Sequence, residues 1–140
     1  MAEPCFVLPV RVYYEDTDAG GVVYYANYLK YLERARTEWL RTLGFEQRRL
    51  LEDHGVVFAV HRVELAFARP ARLDDELQVT LAVARCSAVR MRFRQTVQPT
   101  GDAARLVDAR VDVACLDAAH FRPRRMPRGI QEAIGQWMSI

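Results

Sequence analysis

Tyr25-Ala26-Asn27-Tyr28-Leu29-Lys30-Tyr31-Leu32-Glu33-Arg34-Ala35-Arg36-Thr37-Glu38-Trp39-Leu40-Arg41-Thr42-Leu43-Gly44 carries an apolar stripe. Tyr25, Tyr28, Leu29, Leu32, Ala35, Trp39, Leu40 and Leu43 recur at steps of three and four, the period of a helix of about five turns. Arg34 and Glu38, at i,i+4, stand off the stripe, and Gly44 supplies a stop. On either side the period changes to two. Phe6 to Tyr14 reads as a strand. A shorter helix over Phe45 to His54 ends at Gly55, and four alternating segments follow. In the first, Val57, Ala59, Val63, Leu65 and Phe67 are expected to share a face; in the second, Leu77, Val79, Leu81 and Val83. Val89, Met91, Phe93, Gln95 and Val97 alternate with Arg90, Arg92, Arg94 and Thr96 in the third. In the fourth, Arg105, Val107, Ala109, Val111, Val113 and Cys115 alternate with Leu106, Asp108, Arg110, Asp112 and Ala114. The runs 70–75 and 99–102 are turns, and a short helix follows the basic segment Phe121–Arg128. A sheet with one apolar face needs a cover, and the long helix is the cover available. The expectation is an α+β fold, a five-stranded antiparallel sheet wrapped around a long central helix, in one domain over residues 1–140.

Composition narrows the function classes. With 51% hydrophobic and 27% charged residues the 140-residue chain is an ordinary globular domain, long enough to bury about 70% of its unfolded surface. The net charge of +2 is below that of a dedicated nucleic-acid binder, so no nucleic-acid partner is expected. Of the 20 basic residues 19 are Arg and one is Lys30, a bias that codon composition explains more readily than phosphate binding does. No apolar run approaches the roughly 18 residues of a membrane span, and Met1 to Cys5 has no basic n-region, so the expected location is cytoplasmic. Cys5, Cys86 and Cys115 form no CxxC pair, and His54, His61 and His120 lack metal-site spacing. Neither a disulfide framework nor a metal is expected.

Chemistry concentrates just before the helix. Glu15, Asp16 and Asp18 place three carboxylates in four positions, followed by Gly20-Gly21 and the helix start. The unpaired N–H groups and positive dipole end of a helix attract anions and can polarise a carbonyl while a carboxylate attacks it or activates water. That arrangement points to acyl transfer. Asp16, at the loop entrance, suits a structural role bonding backbone N–H groups. Gly20 and Gly21 suit a positive-φ turn, a close approach of substrate to backbone, or both.

The run Arg11-Val12-Tyr13-Tyr14-Glu15-Asp16-Thr17-Asp18-Ala19-Gly20-Gly21-Val22-Val23-Tyr24 with Ala26-Asn27-Tyr28, and Glu33 to Glu38, Pro70 to Asp75, Arg122-Pro123-Arg124 and Met126-Pro127 beyond it, resembles the hotdog-fold acyl-CoA thioesterases of the 4-hydroxybenzoyl-CoA thioesterase type. The likeness is to the branch associated with the Tol–Pal envelope system and covers nearly the whole chain. It implies dimers with a continuous sheet, often paired into tetramers, and thioester hydrolysis without metal or redox cofactor. It assigns the catalytic carboxylate to Asp18 and the N–H aimed at the thioester oxygen to Tyr25. Many members of the branch have His where this chain has Tyr25.

The resulting reading is an acyl-CoA thioesterase in which Asp18 is nucleophile or general base and the Tyr25 amide stabilises the oxyanion. Gly20, Gly21, Val22, Val23, Tyr24 and Asn27 are the loop residues set against the thioester, with Asn27 equally suited to anchoring the loop. Arg90, Arg92, Arg124 and Arg125 are the cations offered to the CoA phosphates. The competing reading for the β-strand arginines is pairing with Asp108 and Asp112 on the next strand. Expected partners are acyl-CoA, a second copy of the chain, and an acyl carrier protein or envelope-complex component. The alternative is a non-catalytic subunit binding acyl-CoA or acyl carrier protein in an envelope or lipid-synthesis assembly.

Overall fold

The computed structural model describes residues 5 to 138. Strand β1 (Phe6–Arg11) leads through a 3-10 turn (Tyr14–Asp16) and the glycine loop into helix α1 (Asn27–Thr42). Helix α2 (Gln47–His54) follows, then β2 (Val56–Phe67), β3 (Glu76–Cys86), β4 (Arg90–Pro99), β5 (Val107–Asp117) and helix α3 (Arg128–Gly135). The strands form one antiparallel sheet in the order β1-β3-β4-β5-β2. The five strands and the long helix are those expected, although the first strand is shorter because its end coils into the 3-10 turn. Gly55 closes α2 at φ 65°, the left-handed cap that glycine adopts without a Cβ clash.

Helix α1 packs against the inner face of the sheet through Tyr28, Tyr31, Leu32, Ala35, Trp39 and Leu40. Tyr31, fully buried, replaces Tyr25 and Leu29 of the expected stripe. Tyr25 precedes the first helical turn, and Leu29 is exposed on the helix surface. Each large side chain buried here contributes about 1.5–3 kcal/mol. Trp39 anchors one half of the core edge-on to Phe93 and Trp137, at 5.4 and 5.9 Å between ring centroids. Tyr28, Leu32, Val79, Val97 and Val107 build the other half.

Strand β2 corrects the alternation read from the sequence. Its pairing with β5 slips between Val60 and Arg62, so His61 is an extra residue. A one-residue bulge swaps the faces of everything on one side of it. Phe58 and Val60 therefore join Val63, Leu65 and Phe67 on the inner face, opposite Cys115, Val113, Val111, Ala109 and Val107, while Val57 and Ala59 face outward. β2 is also an edge strand, its second side unpaired among the described residues.

Candidate active site

The acidic loop is tied down before the helix begins. Asp16 is buried; its Oδ2 accepts the Tyr13 N–H at 2.9 Å. Its carbonyl accepts the Tyr24 N–H at 2.9 Å and the Asn27 side-chain amide at 2.8 Å. Burial, and secondarily the Asp16 carboxylate, push the Tyr31 phenol well above its ordinary range. Asp16 thus braces the loop through its carboxylate, and Asn27 through the Asp16 main-chain carbonyl. The far side of the loop is laced to residues 71–72: Val22 bridges Arg72, Val23 N–H donates to the Ala71 carbonyl at 2.8 Å, and Ala71 N–H donates to the Tyr28 hydroxyl at 3.0 Å.

Asp18 differs from Asp16 in its exposure. It is exposed, and only Oδ1 is held, by the Gly20 N–H at 2.8 Å. Oδ2 has no hydrogen-bond partner among the described residues. The Asp18 N–H donates to the Val22 carbonyl at 2.9 Å and the Gly21 N–H to the Asp18 carbonyl at 3.0 Å, closing a tight loop. Gly21 sits at φ 77°, which a side chain would strain. A Cβ on Gly20 would stand 3.2 Å from Asp18 Oδ1, so glycine there leaves the carboxylate room.

The loop delivers the chain to Tyr25, whose main-chain N–H bonds to no acceptor among the described residues. It sits just ahead of Ala26, the N-cap of α1, which offers no side-chain cap, so this positive helix end stays open to an incoming oxygen. The Tyr25 ring is exposed, 4.9 Å from Tyr24 and edge-on to Phe67 at 6.4 Å. Hydrogen bonding to Tyr25 pushes the exposed Tyr24 phenol up.

The arginines lie elsewhere. On the outer sheet face His61, Arg62, Arg85, Arg90, Arg92 and Asp112 line a groove of about 340 Å³. Arg92 pairs with Asp112 at 2.8 Å, holding that carboxyl below its ordinary range. Of the anticipated cross-strand pairs this one forms; Arg94 faces Arg110, which turns to Glu64 at 3.1 Å, and Asp108 pairs with Arg105. Arg124 lies beside Gly55, and the Met126 N–H donates to the Ala88 carbonyl at 2.7 Å, which keeps Arg125 by the β3–β4 turn. Arg90, Arg92, Arg124 and Arg125 therefore gather at the end where β4 begins. Asp18 and Tyr25 lie at the end where β2 finishes and β3 begins. Along β4 those ends are about 30 Å apart, and one protomer does not join them. Arg62 and Arg85 joined the groove without being singled out in the sequence; their outward parity was the available signal, hidden by register shifts near both.

Residues 12–134 match the model of the thioesterase-like superfamily. The chain belongs to that superfamily. It is 43% identical over 133 residues to an acyl-CoA thioesterase, YbgC, of Haemophilus influenzae, covering 95% of this chain and 96% of the relative. A probable thioesterase from Bartonella henselae superposes with a TM-score of 0.82 at 35% identity, covering 88% of this chain and 99% of the other. A 1,4-dihydroxy-2-naphthoyl-CoA thioesterase from Synechocystis shares the fold, with a TM-score of 0.87 at 24% identity and coverage of 94% and 96%. The sheet wrapped on α1 is the hotdog architecture of this thioesterase-like superfamily. Among the described residues no group of three or more His, Cys, Asp or Glu is placed to hold a metal ion, and no helix is long and apolar enough to cross a membrane.

Proposed function

We propose that this acyl-CoA thioesterase cleaves its substrate at the turn between Asp18 and α1. The observation that carries the reading is the pairing, within one short loop, of an exposed carboxylate with one oxygen uncommitted and an unbonded N–H at a helix start. The thioester carbonyl oxygen accepts the Tyr25 N–H, and the α1 dipole stabilises the negative charge that develops on it. Asp18 Oδ2 then attacks the carbonyl carbon, expelling CoA thiolate and leaving a mixed anhydride for water to open, or takes a proton from the water that attacks. Gly20, Gly21, Val22, Val23 and Tyr24 form the wall along which the thioester lies. No step calls on a metal or redox cofactor.

The two separated halves of the site favour a dimer. β2 has a free edge of twelve residues, which a second copy satisfies by antiparallel pairing. Two-fold pairing about the middle of β2 sets the Val56 end of one protomer beside the Phe67 end of the other. Each Asp18 loop then approaches the partner's arginine-rich end, where Arg90, Arg92, Arg124 and Arg125 supply charge for the CoA phosphates. An acyl carrier protein presents the same phosphopantetheine thioester and is the second carrier to test. The deciding experiment follows CoA release from a panel of aliphatic and aromatic acyl-CoAs with a thiol-reactive dye. Catalytic turnover of at least one supports the reading; tight binding of acyl-CoA without turnover establishes the non-catalytic alternative.

A further inference from the structure

Gln95 is the polar residue on the inward face of β4, 1% exposed between the two halves of the core. Its amide nitrogen donates to the Leu32 carbonyl of α1 at 3.1 Å, and its oxygen accepts Arg36 Nη1 at 3.0 Å. The half-buried Arg36 is thereby fixed with most of its five donors unused. Burial pushes its guanidinium down, with the charge of Glu33 acting the other way. Among the described residues no carboxylate forms an ion pair with it; Glu33 instead accepts the Thr37 hydroxyl at 2.8 Å. Arg36 borders a cavity of about 220 Å³ whose other walls include Leu40, Phe58, Val60, Phe93 and Val113.

This cavity lies along the same helix as the proposed reaction centre. Tyr25, Leu29 and Glu33 follow at four-residue steps; Tyr25 meets Phe67 of β2, and Glu33 and Arg36 share the cavity with Val60, while Val63 and the partly buried Leu65 lie between on the same inward face of β2. Leu65 apart, the apolar members are each at least 36% exposed, so apolar side chains stand uncovered along the interval between the Tyr25 amide and Arg36. The rise along the helix over this interval is about 16 Å, and the Arg36 side chain leans back toward the helix N-terminus, shortening the gap. An extended acyl chain of medium length spans it, and a short acyl group does not.

We propose that Arg36, positioned by Gln95, receives a carboxylate at the far end of the acyl group, and so selects ω-carboxyacyl-CoA thioesters. The inference rests on the thioesterase reading of the Asp18–Tyr25 turn. A methyl terminus would leave the guanidinium half-buried and unpaired, whereas a carboxylate accepts two of its N–H groups side by side.

The test compares kcat/KM for decanoyl-CoA, ω-hydroxydecanoyl-CoA and the mono-CoA thioester of decanedioic acid. Wild type is expected to favour the decanedioyl thioester over decanoyl by at least about tenfold, the scale of one hydrogen-bonded charge contact. Arg36→Met is expected to abolish or reverse that preference, and Arg36→Lys to retain part of it. Should Arg36→Met fail to fold by circular dichroism, inhibition of wild type by free decanedioate against decanoate gives the same comparison, with decanedioate the stronger. Equal rates on the two thioesters in wild type, or a preference that survives in folded Arg36→Met, overturns the role of Arg36 alone. Hydrolysis of none of the three, with turnover of another acyl-CoA of the panel, overturns this inference and leaves the thioesterase reading standing; turnover of no acyl-CoA at all overturns both.

Discussion

Asp16→Ala separates the two acids of the loop. The substitution removes the acceptor of the Tyr13 N–H and strips the charge beside the buried Tyr31 hydroxyl. A hydrogen bond to a charged group contributes about 1.5–3 kcal/mol, and the methyl leaves the half-buried amide no replacement. For a chain of this size that loss lowers Tm by roughly 5–10 °C. Asp16→Asn keeps an acceptor at the same place, and about half the effect is expected. The assay is thermal unfolding by circular dichroism, paired with turnover at a temperature where all variants are folded. There both Asp16 variants are expected within about tenfold of wild type, because Asp16 organises the loop and takes no part in proton transfer. An Asp16→Ala Tm within 1 °C of wild type (about the shift of a few tenths of a kcal/mol) would refute the structural role. Loss of turnover without loss of stability would move the chemistry from Asp18 to Asp16.

Tyr25→Phe retains the amide and the ring, so turnover is expected within a few-fold of wild type; a loss of about 10²-fold in a folded variant would show that the hydroxyl is an acid or base. Asp112→Asn is expected to destabilise by about 1 kcal/mol at neutral pH, the range of a partly exposed ion pair. Because Arg92 depresses the folded-state value of Asp112, that stabilisation is full above the ordinary Asp value of about 3.9 and disappears as pH falls through the lower folded value. Denaturation curves for wild type and Asp112→Asn should therefore converge in acid, and a gap that persists there contradicts the assignment. Light scattering at micromolar concentration should give at least twice the 16.1 kDa chain mass, and a monomer would remove the proposed route by which the arginines reach the thioester.

The fold was legible wherever one face of an element is buried. β4 and β5 keep parity, β3 keeps it as far as Val83, and α1 keeps its stripe except that Tyr31 takes the place of Tyr25 and Leu29. β2 misleads because the extra residue His61 inverts parity partway along, and no residue type in Val60-His61-Arg62 announces a bulge. At the proposed site, crowding of Glu15, Asp16 and Asp18 before a helix singles out the loop in the sequence. Local hydrogen bonds, which the sequence does not display, separate the buried Asp16 from the exposed Asp18. Arg36 was invisible for a related reason. On the helical wheel it is one arginine among several, and its meaning depends on Gln95, 59 residues away on β4.

The central claim concerns Asp18, and Asp18→Asn tests it with little change of shape, since the amide oxygen can still accept the Gly20 N–H. The measurement is steady-state release of CoA by wild type and Asp18→Asn from one good acyl-CoA substrate, with Tm recorded for both. The account predicts a folded variant with Tm close to wild type and kcat reduced by at least about 10²-fold, the low end for a positioned acid–base group. Turnover near wild type in folded Asp18→Asn would contradict it.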